Sequence, residues 1–200
     1  MVQSSTHRGL RRAKNRTTVA AIGVLAIAAA SSSPALAQLA PSPEYVDATS
    51  SHMPQDTTVH ALDAAFIDVD KDGDLDLVIA CEWAPNRLYL NDGTGTLTWQ
   101  EGALGTEIHD SEHVRAADFD GDGNLDAVFV AEHDGVHQLF LGDGKGGFTE
   151  ASDRLPARSQ GNGLAVGDVN GDGLPDIVVG NTGEAGFHGP IVPAHNFLWL

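Results

Sequence analysis

Cysteine is nearly absent: Cys81 is the only one in 200 residues, so no disulfide framework can staple this chain. Positive charge is scarce too. Eleven Lys and Arg face 28 Asp and Glu, giving a formal net charge of −17 and a sequence pI near 4.6. A chain without a basic footprint cannot neutralise phosphates, which excludes nucleic acid as a partner. The 23 glycines follow no three-residue period, so collagen is excluded. Sustained helical periodicity is missing after residue 37, and no apolar run is long enough to span a bilayer. What remains, 42% hydrophobic and 6% aromatic, suffices for one globular domain or part of a repeat array.

The first 37 residues stand apart. Residues 1–18 carry Arg8, Arg11, Arg12, Lys14 and Arg16 and no acid. A 12-residue apolar core, Val19 to Ala30, and an Ala35-Leu36-Ala37 cleavage site follow, the pattern of a secretory signal peptide over 1–37. Ala13-Lys14 after the arginine pair lacks the apolar residues of a twin-arginine signal, which favours general secretion. Cleavage takes the net charge to −22, and a secreted, periplasmic or cell-surface location is expected. Cys81 ends the apolar run LDLVIAC and is expected to be a buried strand thiol.

A fifty-residue period organises the rest. DVDKDGDLDLVIA from Asp68, DFDGDGNLDAVFV from Asp118 and DVNGDGLPDIVVG from Asp168 align without gaps. RLYLNDGTGTLTW from Arg87 and QLFLGDGKGGFTE from Gln138 form a second block. AAFID (64–68) and AVGD (165–168) read as first strands, and LDLVIA, LDAVFV and DIVVG as buried second strands. RLYLN and QLFLG read as third strands, turned by Asp-Gly pairs into fourth strands. Four antiparallel strands per fifty residues predict an all-β fold, a partial β-propeller. The expected units are 58–107, 108–157 and an incomplete 158–200. They follow a segment, 38–57, whose YVDATSSHMP resembles FTEASDRLP at 148–156 and suggests a strand that closes the last blade. Since propellers close with about four to eight blades, the sequence reads as the N-terminal portion of a longer protein.

Each acidic loop places side-chain oxygens at positions 1, 3, 5 and 9: Asp68, Asp70, Asp72, Asp76; Asp118, Asp120, Asp122, Asp126; Asp168, Asn170, Asp172, Asp176. Position 6 is always glycine, and position 7 (Asp74, Asn124, Leu174) varies, as expected if it offers only a backbone carbonyl. Calcium takes about six to eight oxygens in flexible geometry, so one calcium ion per repeat is expected. An EF-hand is excluded: its position 12 is a bidentate Glu, whereas Ile79, Phe129 and Val179 stand here. Without a cation, each close carboxylate pair costs about 1 kcal/mol or more even at high dielectric.

These motifs, AVGDVNGDGLPDIVVG from Ala165 above all, resemble the FG-GAP repeats of integrin α chains and the similar VCBS repeats of secreted bacterial proteins. The resemblance covers roughly 58–200. It implies a β-propeller with a calcium loop between the first and second strands of each blade. Gly161-Asn162-Gly163 stands where the name-giving Phe-Gly is expected, and Gly180-Asn181-Thr182 replaces Gly-Ala-Pro, which favours the VCBS-like branch.

In such blades the calcium loops and Asp-Gly turns share one end. The other end carries CEWAPN (81–86), AEHDGVH (131–137), the insertion 181–195, and the connections near 100–112 and 153–162. Glu82, Trp83, Glu132, His133, Phe187 and His188 are the candidate ligand contacts there. His109-Asp110-Ser111-Glu112-His113 fits a zinc-peptidase pattern, but that chemistry needs a helix and the segment reads as an inter-blade loop. No nucleophile motif is present, so no catalytic residue is assigned and no enzyme is expected. The expected function is a secreted, calcium-binding scaffold for binding or adhesion, with an extracellular protein or carbohydrate as ligand. The alternative is the non-catalytic repeat region of an extracellular enzyme such as a polysaccharide lyase or glycosidase.

Overall fold

A computed structural model describes residues 44–54, 59–155, 158–182 and 195–200. The expected signal peptide lies outside the described residues, as do Phe187 and His188. The first blade is β1 (His60–Ile67), β2 (Asp76–Ala84), β3 (Arg87–Asn91) and β4 (Leu97–Trp99). The second is β5 (His109–Ala117), β6 (Asp126–Ala131), β7 (Gln138–Gly142) and β8 (Phe148–Glu150). β9 (Gly161–Gly167), β10 (Asp176–Asn181) and β11 (Phe197–Trp199) form a three-stranded third unit. All pairings are antiparallel, and the fold is a partial β-propeller.

The third strands match their expected bounds, the first strands start earlier, β2 and β10 end later, and β6 keeps its expected length. β1 begins at His60 rather than Ala64, and β2 continues through Glu82 and Trp83 to Ala84. That extension pairs with the next blade, Glu82 opposite Asp110 and Ala84 opposite His109, fusing blades 1 and 2 into one sheet. Cys81 is strand, as its apolar run suggested, whereas residues 82–84 and 109–112 are strand where the sequence pattern suggested loop. Each first strand also holds one more residue than its partner between paired positions. The register shifts fall between Ala61 and Asp63, between Ser111 and His113, and opposite Val179 to Asn181.

Alternation along β6 explains its unbroken burial. Ala127 and Phe129 pack toward blade 1 with Ile67, Val78, Leu88, Leu104, Val114 and Phe140. Val128 and Val130 pack toward blade 3 with Leu139, Ile177 and Val179. Side chains one apart point to opposite faces, so a strand between two blades must be apolar on both. Cys81 is buried in β2, its backbone N–H donating to Asn86 Oδ1 at 2.9 Å. Thr49–His52 forms one helical turn, α1, and Ser152–Arg154 forms a 3-10 turn at the matching place after β8. Tyr45, Val46 and Asp47 carry no strand pairing among the described residues.

Candidate metal centre

The three acidic loops close by the same local hydrogen bonds. The position-1 carboxylate accepts the N–H of the position-6 glycine: Gly73 to Asp68 at 3.2 Å, Gly123 to Asp118 at 2.8 Å and Gly173 to Asp168 at 2.9 Å. Position 3 accepts from the position-5 N–H, and position 5 from the position-7 N–H, in all three. These turns fold the chain around its own carboxylates. The glycines sit at φ 96°, 87° and 91°, in the left-handed region that side chains avoid. Position 4 is left-handed too: Gly121 and Gly171 fill it in loops 2 and 3, while Lys71 holds φ 62° in loop 1.

In loop 1, ligand atoms of Asp68, Asp70 and Asp76 lie within 4.8 Å of one another, and in loop 2 those of Asp118, Asp120 and Asp122 do. Asp68 Oδ1 is buried and has no hydrogen-bond donor among the described residues. Loop 3 carries Asn170 at position 3, and its leading Asp168 accepts the N–H groups of Gly171 and Gly173, which hold its carboxyl below the usual range. Asp74 and Asn124 lean over the Asp-Gly turns, where a Cβ on Gly93 or Gly144 would strike them. Leu174 is exposed and lies toward Gly121 of the second loop.

Position 9 does more than complete a ligand count. Asp76, Asp126 and Asp176 are 0%, 0% and 2% exposed. Asp126 Oδ2 accepts from Phe119 N–H at 2.7 Å and Oδ1 from Gly142 N–H at 2.8 Å; Asp76 repeats this with Val69 and Asn91, both at 2.9 Å. Asp176 accepts from Val169 at 2.8 Å. Burial pushes the Asp76 and Asp126 carboxyls up, against the pull of these N–H groups and with help from the loop's other carboxylates. A cation beside them would reverse that repulsion.

The far ends of β2 and β6 gather a second group. Asp110 is buried, its Oδ2 accepting from His133 N–H at 2.8 Å and from His133 Nδ1 at 2.7 Å. Glu132 Oε2 lies 3.6 Å from the same Nδ1, and Glu132 Oε1 accepts from Thr182 Oγ1 of the third unit at 3.1 Å. The Asp110 hydrogen bond, outweighing burial, raises the His133 imidazole above its ordinary value. Trp83 is 54% exposed at φ 55°, its ring 6.3 Å from that of His133, and Glu82 faces His60 at 3.3 Å. Four of the six expected ligand contacts, Glu82, Trp83, Glu132 and His133, thus occupy one patch.

Sequence reasoning missed Asp110 and Glu112 as members of that patch. Burial raises the Glu112 carboxyl, and the charges of Asp110, Glu132 and Glu82 add to it. The signal was present in the zinc-peptidase-like pattern, though not in the sense of that pattern. β5 is a strand, and its histidines part company: His109 faces Asp134 at 2.8 Å, His113 faces Asp63 at 3.2 Å. They share no centre.

Antiparallel blades at a fifty-residue period, each with a carboxylate loop between its first two strands, define a β-propeller repeat protein. The chain belongs to the FG-GAP-like repeat family, whose model matches residues 68–129 and 127–179. Among curated relatives it is similar to cartilage acidic protein 1 of Homo sapiens, 29% identical over 147 residues, and of Mus musculus, 28% identical over 148 residues. Each match takes in 68% of this chain but only 22% and 23% of the relatives' length. Among the described residues no helix is long and apolar enough to cross a membrane.

Proposed function

We propose that this chain is a secreted, calcium-stabilised propeller segment that acts as a non-catalytic scaffold for binding an extracellular protein or carbohydrate. The carrying observation is the convergence of three carboxylates in each of the first two loops, with Asp68 Oδ1 buried and without a donor among the described residues. Calcium suits a hard, all-oxygen donor set at this spacing. Asp68, Asp70, Asp72 and Asp76, Asp118, Asp120, Asp122 and Asp126, and Asp168, Asn170, Asp172 and Asp176 would hold it, with the carbonyls of Asp74, Asn124 and Leu174. Bound calcium would neutralise like charges that otherwise strain each loop. Secretion is supported by the signal-peptide pattern of residues 1–37 and by relatives named for cartilage. Ligand binding is supported by the patch around Trp83, an exposed aromatic on a rigid strand end.

Thermal melts in excess EDTA and in millimolar calcium test the reading. Calcium should raise the midpoint by several degrees, as mass action requires of an ion that binds the folded state. Coincident melts would refute it.

A further inference from the structure

Asp110, Glu132 and His133 lie at the end of the blades away from the acidic loops and have the donors of a different kind of site. One ligand atom from each lies within 4.8 Å of the others. The cluster alone would be unremarkable, because a histidine pinned by two acids is a common structural device. The second observation is Asp110 Oδ1. Asp110 is wholly buried, and this oxygen has no hydrogen-bond donor among the described residues, although Oδ2 of the same carboxylate has two. An ionised oxygen buried without a partner is costly, and a cation taking the place of the Nδ1 proton that Oδ2 now accepts would give the carboxylate a full partner beside Glu132 and His133.

We infer that Asp110, Glu132 and His133 form a second metal site, selective for a zinc-class divalent transition metal rather than calcium. The donor set argues the class. An imidazole nitrogen with two carboxylates suits zinc and its neighbours, whereas calcium seeks oxygen alone. Three protein ligands are also the number that leaves zinc an open position, and His133, half exposed at its side chain, puts that position at the surface. The scaffold is rigid where it matters. Asp110 sits between the end of β2, where it pairs with Glu82, and the end of β6, where its carbonyl accepts the Glu132 N–H at 3.1 Å. Thr182 of the third unit holds Glu132 from its other side. Nearby Glu82 and Glu112 keep the approach negative.

The test is a calorimetric titration of zinc into the full chain with calcium saturating, on wild type, H133Q, E132Q and D110N. Wild type should bind one zinc equivalent that millimolar calcium does not displace, with affinity reduced at least about tenfold in each variant. Should D110N fail to fold, H133Q and E132Q, whose side chains reach solvent, carry the comparison. Two results would overturn the site: no zinc binding above calcium, or zinc affinity unchanged in H133Q and E132Q. A lower melting temperature in those variants with zinc binding intact would mark the cluster as a structural pin only. The calcium melts are independent of this outcome, because the two sites share no residue.

Discussion

At the scale of single residues, the position-9 aspartates show how one side chain can serve two ends. Asp126 is legible in the sequence as the last oxygen of a metal loop. Its second job is not: it ties Phe119 N–H, seven residues before it, and Gly142 N–H, sixteen after it, to one buried carboxylate. Replacing it with alanine orphans two backbone donors, each costing about 1–3 kcal/mol when buried. D126A should therefore lose on the order of 2–4 kcal/mol in urea melts run in EDTA, where no metal contributes. A loss seen only with calcium present would assign Asp126 to the ion alone. Lys71 teaches the converse. Spacing identifies the glycine at position 6, but that position 4 is also left-handed follows only from the turn, since loop 1 tolerates lysine there.

At the scale of elements, β6 is the clearest case of sequence dictating role. DAVFVA has no polar residue after its aspartate because both of its faces meet a neighbouring blade. Phe129 meets Phe140 of β7 edge to face, centroids 5.9 Å apart and planes at 86°. A double-mutant cycle with F129L and F140L should give a coupling of about 0.5–1.5 kcal/mol beyond the two separate losses. Strict additivity would mean that the rings contribute only buried area. The extension of β2 through Trp83 was not legible. Glu82 and Trp83 are polar or exposed, and nothing local to them reveals that Asp110, nearly thirty residues on, completes the ladder.

At the scale of the molecule, stability rests on the junctions between blades. Between blades 1 and 2, Asp63 accepts from Arg115 at 2.6 Å and from His113 at 3.2 Å; burial pushes its carboxyl up, but these and the backbone donors outweigh it and hold it below the usual range. Between blades 2 and 3 stands His137, whose Nδ1 accepts the Ala131 N–H at 3.0 Å while Nε2 pairs with Ser159 Oγ at 2.7 Å. Burial lowers it from 6.5 to about 4, Arg158 assisting and Asp134 opposing. A base depressed in the folded state contributes its full stability above its unfolded value and loses it as pH falls toward the folded one. Denaturant midpoints should thus fall between pH 6.5 and about 4. H137N, which keeps an acceptor for Ala131 but does not titrate there, should flatten that slope; an unchanged profile would clear His137 of the effect. Apolar side chains also stay uncovered on the outer blades, Phe66 on one and Val169, Leu198 and Leu200 on the other.

The scarcity of positive charge acquires an address in this architecture. Twelve of the 28 acids lie in the three loops, and their grouping into carboxylate clusters follows from spacing that the chain alone dictates. Period, loop chemistry and the type of each strand were fixed in the same way, because turns, alternation and ligand spacing act over a few residues. The company kept by Asp110, Glu132, His133 and Trp83 was decided only in the folded chain. Asp110 meets Glu132 and His133 through the pairing and bulge of β5 against β6, and Trp83 joins them because β2 of one blade pairs with β5 of the next, a contact between units that no local pattern encodes.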